Sequence, residues 1–187
     1  MSKNANPNSG ISKRSSVTKK VFGFAGWSGS GKTTLIERVI AHLSGSGVRV
    51  ALIKHAHHAF DVDQPGKDSY RHRAAGASEV LVSSGNRWAL MHELRGEPEL
   101  TLAEAVDRFS ACDLVLVEGY KREAIPKIEI WRAQVGKPLL FPTDPNIVGL
   151  ATDDALPATV QEPVFPRFGL NDIAGLAVFA LHHSRAI

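Results

Sequence analysis

The chain has 187 residues, 43% hydrophobic and 22% charged, the size and mix of one globular domain, which excludes a wholly disordered or fibrous protein. No apolar run approaches the ~20 residues that span a bilayer, and the single cysteine, Cys112, can form neither an internal disulfide nor a thiolate metal site, so a reducing cytoplasm is the expected location. The net charge of +3 is unevenly spread: Lys3, Lys13, Arg14, Lys19 and Lys20 fall in a stretch with no acidic residue, leaving 17 basic against 19 acidic side chains for the rest.

Residues 1–20 are rich in Ser, Asn and Lys, bury nothing and lack the apolar core of a secretory signal. They read as a disordered basic tail, with a transit peptide or a non-specific phosphate-polymer arm as the competing readings. Residues 21–187 are then one domain. Its slightly acidic balance argues against specific nucleic-acid binding.

From Val21 onward, short aliphatic runs alternate with amphipathic segments, the pattern of an α/β protein with a mostly parallel sheet. A buried strand is predicted over 21–25 and a helix over 32–44, carrying Leu35, Ile36, Val39, Ile40 and Leu43 at helical spacing and ended by Gly45 and Gly47. A second strand over 48–54 completes a βαβ unit. After a polar loop with a Pro65-Gly66 turn come a helix over 67–75, a strand over 79–83 and, across Gly85-Asn86, a hairpin partner over 88–91. Thr101 and Glu104 form a capping box that opens a helix over 102–109. Residues 114–117 read as a strand buried on both faces, 127–131 and 147–151 as further strands, and 171–183 as a last helix. The stretch 132–145 carries no clear pattern.

Gly26-Trp27-Ser28-Gly29-Ser30-Gly31-Lys32-Thr33 matches G-x-x-x-x-G-K-[ST] between a predicted strand and a predicted helix, where a phosphate-binding loop must lie. Gly26, Gly29 and Gly31 let the backbone curl so that successive N–H groups point inward, toward the unpaired donors of a helix start. Lys32 is expected on the outer phosphates and Thr33, followed by Thr34, on a Mg²⁺ ion shared with them. The ion needs a carboxylate at the carboxyl end of a neighbouring strand. Asp113 and Glu118 flank the 114–117 strand roughly 16 Å apart, so only one reaches that edge, and the strand direction selects Glu118. Asp113 reads as a strand-opening residue.

Lys54, ending the second strand, is a further candidate phosphate ligand. The segment from Asp61 to Arg73 is dense in polar groups, among them Asp63, Lys67, Asp68, Tyr70 and Arg71, and follows a strand at the same edge. It is a candidate switch or partner-binding region, with Asp63 the candidate outer ligand of the metal or of a water and, with Lys32, the candidate catalytic pair. A solvated loop and helix face is the competing reading. His55, His57 and His58 read as ordinary loop histidines.

The phosphate loop taken with Leu52-Ile53-Lys54-His55, Asp61-Val62-Asp63-Gln64-Pro65-Gly66-Lys67-Asp68-Ser69-Tyr70-Arg71, Arg87-Trp88-Ala89-Leu90-Met91, Leu116-Val117-Glu118-Gly119-Tyr120-Lys121 and Ile125-Pro126-Lys127-Ile128 resembles the molybdopterin-guanine dinucleotide biosynthesis adapter (MobB) family. The resemblance spans nearly all of 21–182. It implies a P-loop NTPase-like three-layer α/β fold with a mostly parallel sheet and a β-hairpin extension. It also implies a homodimer that binds GTP, hydrolyses it slowly and assists the guanylyltransferase MobA in attaching GMP to molybdopterin. Phosphates would lie on residues 29–34, Mg²⁺ at Thr33 and Glu118, and the 63–71 segment near the nucleotide or a ligand such as molybdopterin or molybdopterin guanine dinucleotide.

Guanine itself follows from the resemblance, since no N-K-x-D string occurs; Asp153, just past the 147–151 strand, is placed where a carboxylate can meet guanine N1 and N2. Two other classes compete. A small-molecule kinase would use the same loop with Arg71 and Arg73 as clamps on the transferred group, and a nucleic-acid module would rest on the basic tail alone.

Overall fold

The computed structural model describes residues 18–56 and 60–187. Residues 1–17, which hold most of the expected tail, and His57 and His58 lie outside the described residues. The chain runs β1 (Lys20–Ala25), α1 (Lys32–Gly45), β2 (Val50–Lys54), α2 (Asp68–Ala74), β3 (Glu79–Ser83), β4 (Trp88–His92), α3 (Leu102–Asp107), β5 (Leu114–Glu118), β6 (Lys127–Ile130), a single 3₁₀ turn (Ala133–Val135), β7 (Ile147–Ala151), β8 (Arg167–Phe168), α4 (Ile173–His183) and β9 (Arg185–Ala186). Among the described residues, no helix is long and apolar enough to cross a membrane.

The main sheet has the order β2-β5-β1-β6-β7-β8, all parallel, and β9 pairs antiparallel with the first residues of β1. The predicted α/β class is therefore the observed one. One pairing differs from the simplest reading: β1 and β2 are parallel but not adjacent, because β5 lies between them. That insertion has a physical cause. Leu114, Val115, Leu116 and Val117 are at most 1% exposed, and such a run is best placed where both faces and both edges are covered.

Two apolar layers clamp the sheet. Leu35, Ile36, Val39 and Leu43 of α1 and Leu176, Phe179 and Ala180 of α4 pack on Phe22, Phe24, Leu116 and Ile128. On the opposite face, Leu102 and Val106 of α3 meet Val21, Val115, Val117 and Ile125. Each such Phe or Leu withdrawn from water stabilises the fold by about 1.5–3 kcal/mol. The capping box at Thr101 and Glu104 is present. Gly45 is the last helical residue of α1 rather than its stop, and Gly47, at φ +82°, makes the left-handed turn that lets Val48 N–H donate back to the Leu43 carbonyl.

The tail boundary also needs correction. Lys20 already pairs with Ala186, and the Lys19 carbonyl accepts from Ile187 N–H, so β9 draws the end of the basic stretch into the sheet. The β3–β4 hairpin forms a separate two-stranded sheet, with Glu79 opposite His92 and Ser83 opposite Trp88, and packs against α2.

Candidate functional site

Strand register decides which side chains meet at the carboxyl edge. Phe24 of β1 lies beside Glu118 of β5, and Glu118 lies beside Lys54 of β2, so the loop leaving β1 emerges next to that carboxylate. Asp113, at the other end of β5, is gripped by the Arg49 guanidinium at 3.0 Å and by Arg49 N–H at 2.8 Å. Those bonds hold its carboxyl below the usual carboxylate range, in the strand-opening role expected.

Between β1 and α1 the chain makes a tight cradle. Gly26, Gly29 and Gly31 take φ of +148°, +81° and +89°. At Gly26 a Cβ would sit 2.5 Å from the Ile130 carbonyl oxygen, so no other residue fits. Gly31 is the N-cap of α1 and supplies no side-chain acceptor, which leaves the first helical N–H groups directed at the cleft. The Ser30 hydroxyl is buried without a hydrogen-bond partner among the described residues. Arg132, just past β6, donates from Nε to the Ser30 carbonyl at 3.1 Å and braces the loop from behind.

The cleft over this loop has a volume of about 490 Å³. Ser28, Gly29, Lys32, Thr33 and Thr34 line one side, and Lys54, His55, Glu118, Gly119 and Lys121 the other. Thr33 Oγ1 donates to Glu118 Oε1 at 3.0 Å, and Lys54 Nζ lies 3.8 Å from Glu118 Oε2. The sequence-predicted Lys32, Thr33, Lys54 and Glu118 thus converge on one cleft. Lys32 Nζ donates to the Trp27 carbonyl at 2.8 Å. Burial pulls its ammonium below the ordinary lysine value, Glu118 opposes this, and Lys121 and Lys54 add to the lowering. A hydroxyl and one nearly buried carboxylate are hard oxygen donors, the set that suits Mg²⁺ sharing its remaining positions with phosphate and water.

Two candidates stand elsewhere. Asp63 does not line this cleft: Oδ1 accepts from Gln64 N–H and Ser69 Oγ, and Oδ2 from Arg73 Nε. Arg73 is only 13% exposed and also binds Asp61 at 2.8 Å and Glu93 at 2.6 Å, so it ties the 61–63 loop, α2 and the hairpin together. Asp153 sits at the carboxyl end of β7 and accepts from Leu170 N–H at 2.8 Å through Oδ1. A larger depression of about 650 Å³ follows Gly66, Tyr70, Arg71 and Ala75, but its walls come from one short helix and the turn before it.

Residue-level reading of the sequence missed Lys121 and Arg132. Each is a cation placed just after a buried strand at the carboxyl edge, which is the signal that could have found them.

A family model described as molybdopterin guanine dinucleotide synthesis protein B matches residues 21–153, from the first strand through Asp153. The chain belongs to the MobB family. It is 45% identical over 161 residues to the molybdopterin-guanine dinucleotide biosynthesis adapter protein of Escherichia coli K12, covering 84% of this chain and 89% of that one. It is 41% identical over 164 residues to the protein of that name from Haemophilus influenzae, covering 87% and 90%. The crystal structure of Bacillus subtilis MobB superposes with a TM-score of 0.67 at 24% identity, over 89% of this chain and 98% of that one, and so shares the fold. The glycine cradle, the partnered Glu118 and the hairpin all fall within the span matched by the MobB family model.

Proposed function

We propose that this MobB-family chain is a GTP-binding adapter with weak, Mg²⁺-dependent hydrolysis that assists a MobA-type guanylyltransferase in attaching GMP to molybdopterin. The observation that carries the reading is the cradle itself, with inward N–H groups, Lys32, and Thr33 bonded to Glu118 in one cleft. Thr33 and Glu118 would hold Mg²⁺, which neutralises phosphate charge when bound. Lys32 and the loop amides would grip the phosphates, and Asp153 would offer its remaining oxygen to guanine N1 and N2.

Slow hydrolysis follows from what the cleft residues are committed to. Glu118 belongs to the metal position, and His55 Nε2 lies 2.7 Å from Glu99 Oε1, so neither is free to activate water. Positioning and charge neutralisation then act without a dedicated base among the described residues. Of the two clamp candidates for a kinase, Arg73 is held by three carboxylates, which weighs against transfer to a small acceptor, while Arg71 keeps only an exposed pair with Asp68.

A homodimer is part of the same reading. Leu81, Trp88 and Leu90 of the hairpin are 60%, 66% and 47% exposed and α2 buries no residue, a face suited to a second copy; a molybdopterin-type ligand would bind beside it or on the partner enzyme.

Calorimetry with Mg²⁺ and either GTP or ATP tests the base and the site together, followed by a pull-down with the guanylyltransferase. GTP should bind more tightly than ATP, and Lys32→Ala should weaken GTP binding by about 100-fold, roughly 2.7 kcal/mol. Unchanged triphosphate affinity in that variant would defeat the assignment.

A further inference from the structure

Two residues just after β5, Gly119 and Lys121, line the wall of the cleft opposite the phosphate loop, and the mechanism above does not use them. Gly119 and Tyr120 take φ of +100° and +31°, two left-handed residues in succession, so the chain reverses as soon as it leaves Glu118. A left-handed tyrosine is costly and persists only where its surroundings over-determine it. They do so here. The Tyr120 ring lies 4.6 Å from that of His55, and His55 N–H donates to the Glu118 carbonyl at 2.9 Å.

Beneath the turn, Lys127 is 2% exposed and donates to two of its carbonyls, Lys121 at 2.9 Å and Glu123 at 2.8 Å, and to Asp144 Oδ2, in the loop before β7, at 3.0 Å. The backbone of Lys121 is therefore fixed from inside the protein. Its side chain is not spent on that anchoring. The Lys121 ammonium instead lies 4.5 Å from the centre of the Trp27 ring, on the phosphate loop itself, while Trp27 is held by its Nε1 donating to the Pro138 carbonyl at 2.7 Å. Lys121 thus lines the cleft from a rigid turn and rests on an aromatic face, a contact of modest strength that a phosphate oxygen can outcompete.

We propose that Lys121 is a triphosphate-sensing cation that leaves the Trp27 ring for the terminal phosphate of the bound nucleotide, and so discriminates the triphosphate from the diphosphate. This rests on the reading that the cleft binds a nucleoside triphosphate. Charge matching supports it: Lys32, Lys54 and Lys121 against Glu118 leave a net of two positive charges in the cleft. A magnesium-bound triphosphate carries roughly −2 and the diphosphate roughly −1, so the third ammonium has a partner only in the triphosphate.

The test uses the full chain, with Mg·GTP and Mg·GDP affinities measured by calorimetry and tryptophan emission followed in parallel. In the unsubstituted protein GTP shifts the emission and GDP does not, and Trp27→Phe removes the shift. Lys121→Met should lower GTP affinity about tenfold while leaving GDP affinity within about threefold, and Lys121→Arg should restore the preference. Because the substitution removes only the modest cation–π contact with Trp27, the Lys121→Met protein should melt within a few degrees of the unsubstituted one. If the unsubstituted protein binds GTP but the GTP to GDP ratio is unchanged in Lys121→Met, the sensing role is wrong and the nucleotide site stands. If it binds neither nucleotide, both fall.

Discussion

Gly26 shows how narrowly single positions are constrained at the cradle. A methyl group there would meet the Ile130 carbonyl oxygen at 2.5 Å and the Ser30 hydroxyl at 2.8 Å, and the backbone stands at φ +148°. Gly29 differs: it is left-handed at φ +81°, but nothing lies within 4 Å of where its Cβ would be. Gly29→Ala should therefore cost only the conformational ~1 kcal/mol, whereas Gly26→Ala should cost about 2–3 kcal/mol or more and also weaken nucleotide binding. Chemical denaturation paired with calorimetry checks both, and equal stability losses in the two variants would contradict the packing argument. These glycines were legible because the motif fixes their spacing. Glu129 and Lys127 were not: Lys-Ile-Glu-Ile reads as an alternating half-exposed strand, yet both charged residues are at most 2% exposed. Glu129 accepts N–H bonds from Leu140 and Phe141, partners from the stretch whose sequence carries no pattern. Burial pushes its carboxyl up, and the two backbone donors act against that.

At the scale of elements, the hairpin was visible as two aliphatic runs around Gly85-Asn86, and β3 has the boundaries expected. What holds it in place was not visible, because Arg73, Asp61, Asp63 and Glu93 are distant in sequence and their charges read equally well as a solvated face. β8 and β9, two residues each, are too short to give periodicity and exist through pairing with β7 and β1. The hairpin carries a pH dependence of its own. His92 Nδ1 lies 2.8 Å from Glu79, its cross-strand partner, and Nε2 lies 3.5 Å from Glu97. The Glu79 hydrogen bond leads in raising the imidazole above its ordinary value, with burial opposing it and Glu97 adding to the rise. A raised folded-state value means that the stabilisation is fully present below about pH 6.5 and is lost as pH rises through the higher folded value. A ring titration by NMR, with hairpin amide exchange compared on either side of it, should show weaker protection once His92 is neutral. A His92 ring that titrates at or below the free value would contradict this.

For the whole molecule, strand order determines function more than any one element does. β5, between β2 and β1, puts Glu118 beside both Lys54 and the phosphate loop, and β6 on the other side of β1 brings Arg132 behind that loop. Sequence disclosed the longer strands and the mostly parallel character of the sheet. It could not show that β5 inserts between β1 and β2, since that depends on which faces find cover in three dimensions. The central claim, that this carboxyl edge grips a guanine triphosphate, is most directly tested by a crystal structure of the full chain with Mg²⁺ and a non-hydrolysable GTP analogue. The account predicts phosphates against residues 26–34, the metal between Thr33 and Glu118, and the base toward Asp153. A nucleotide bound elsewhere, with that loop untouched, would contradict it.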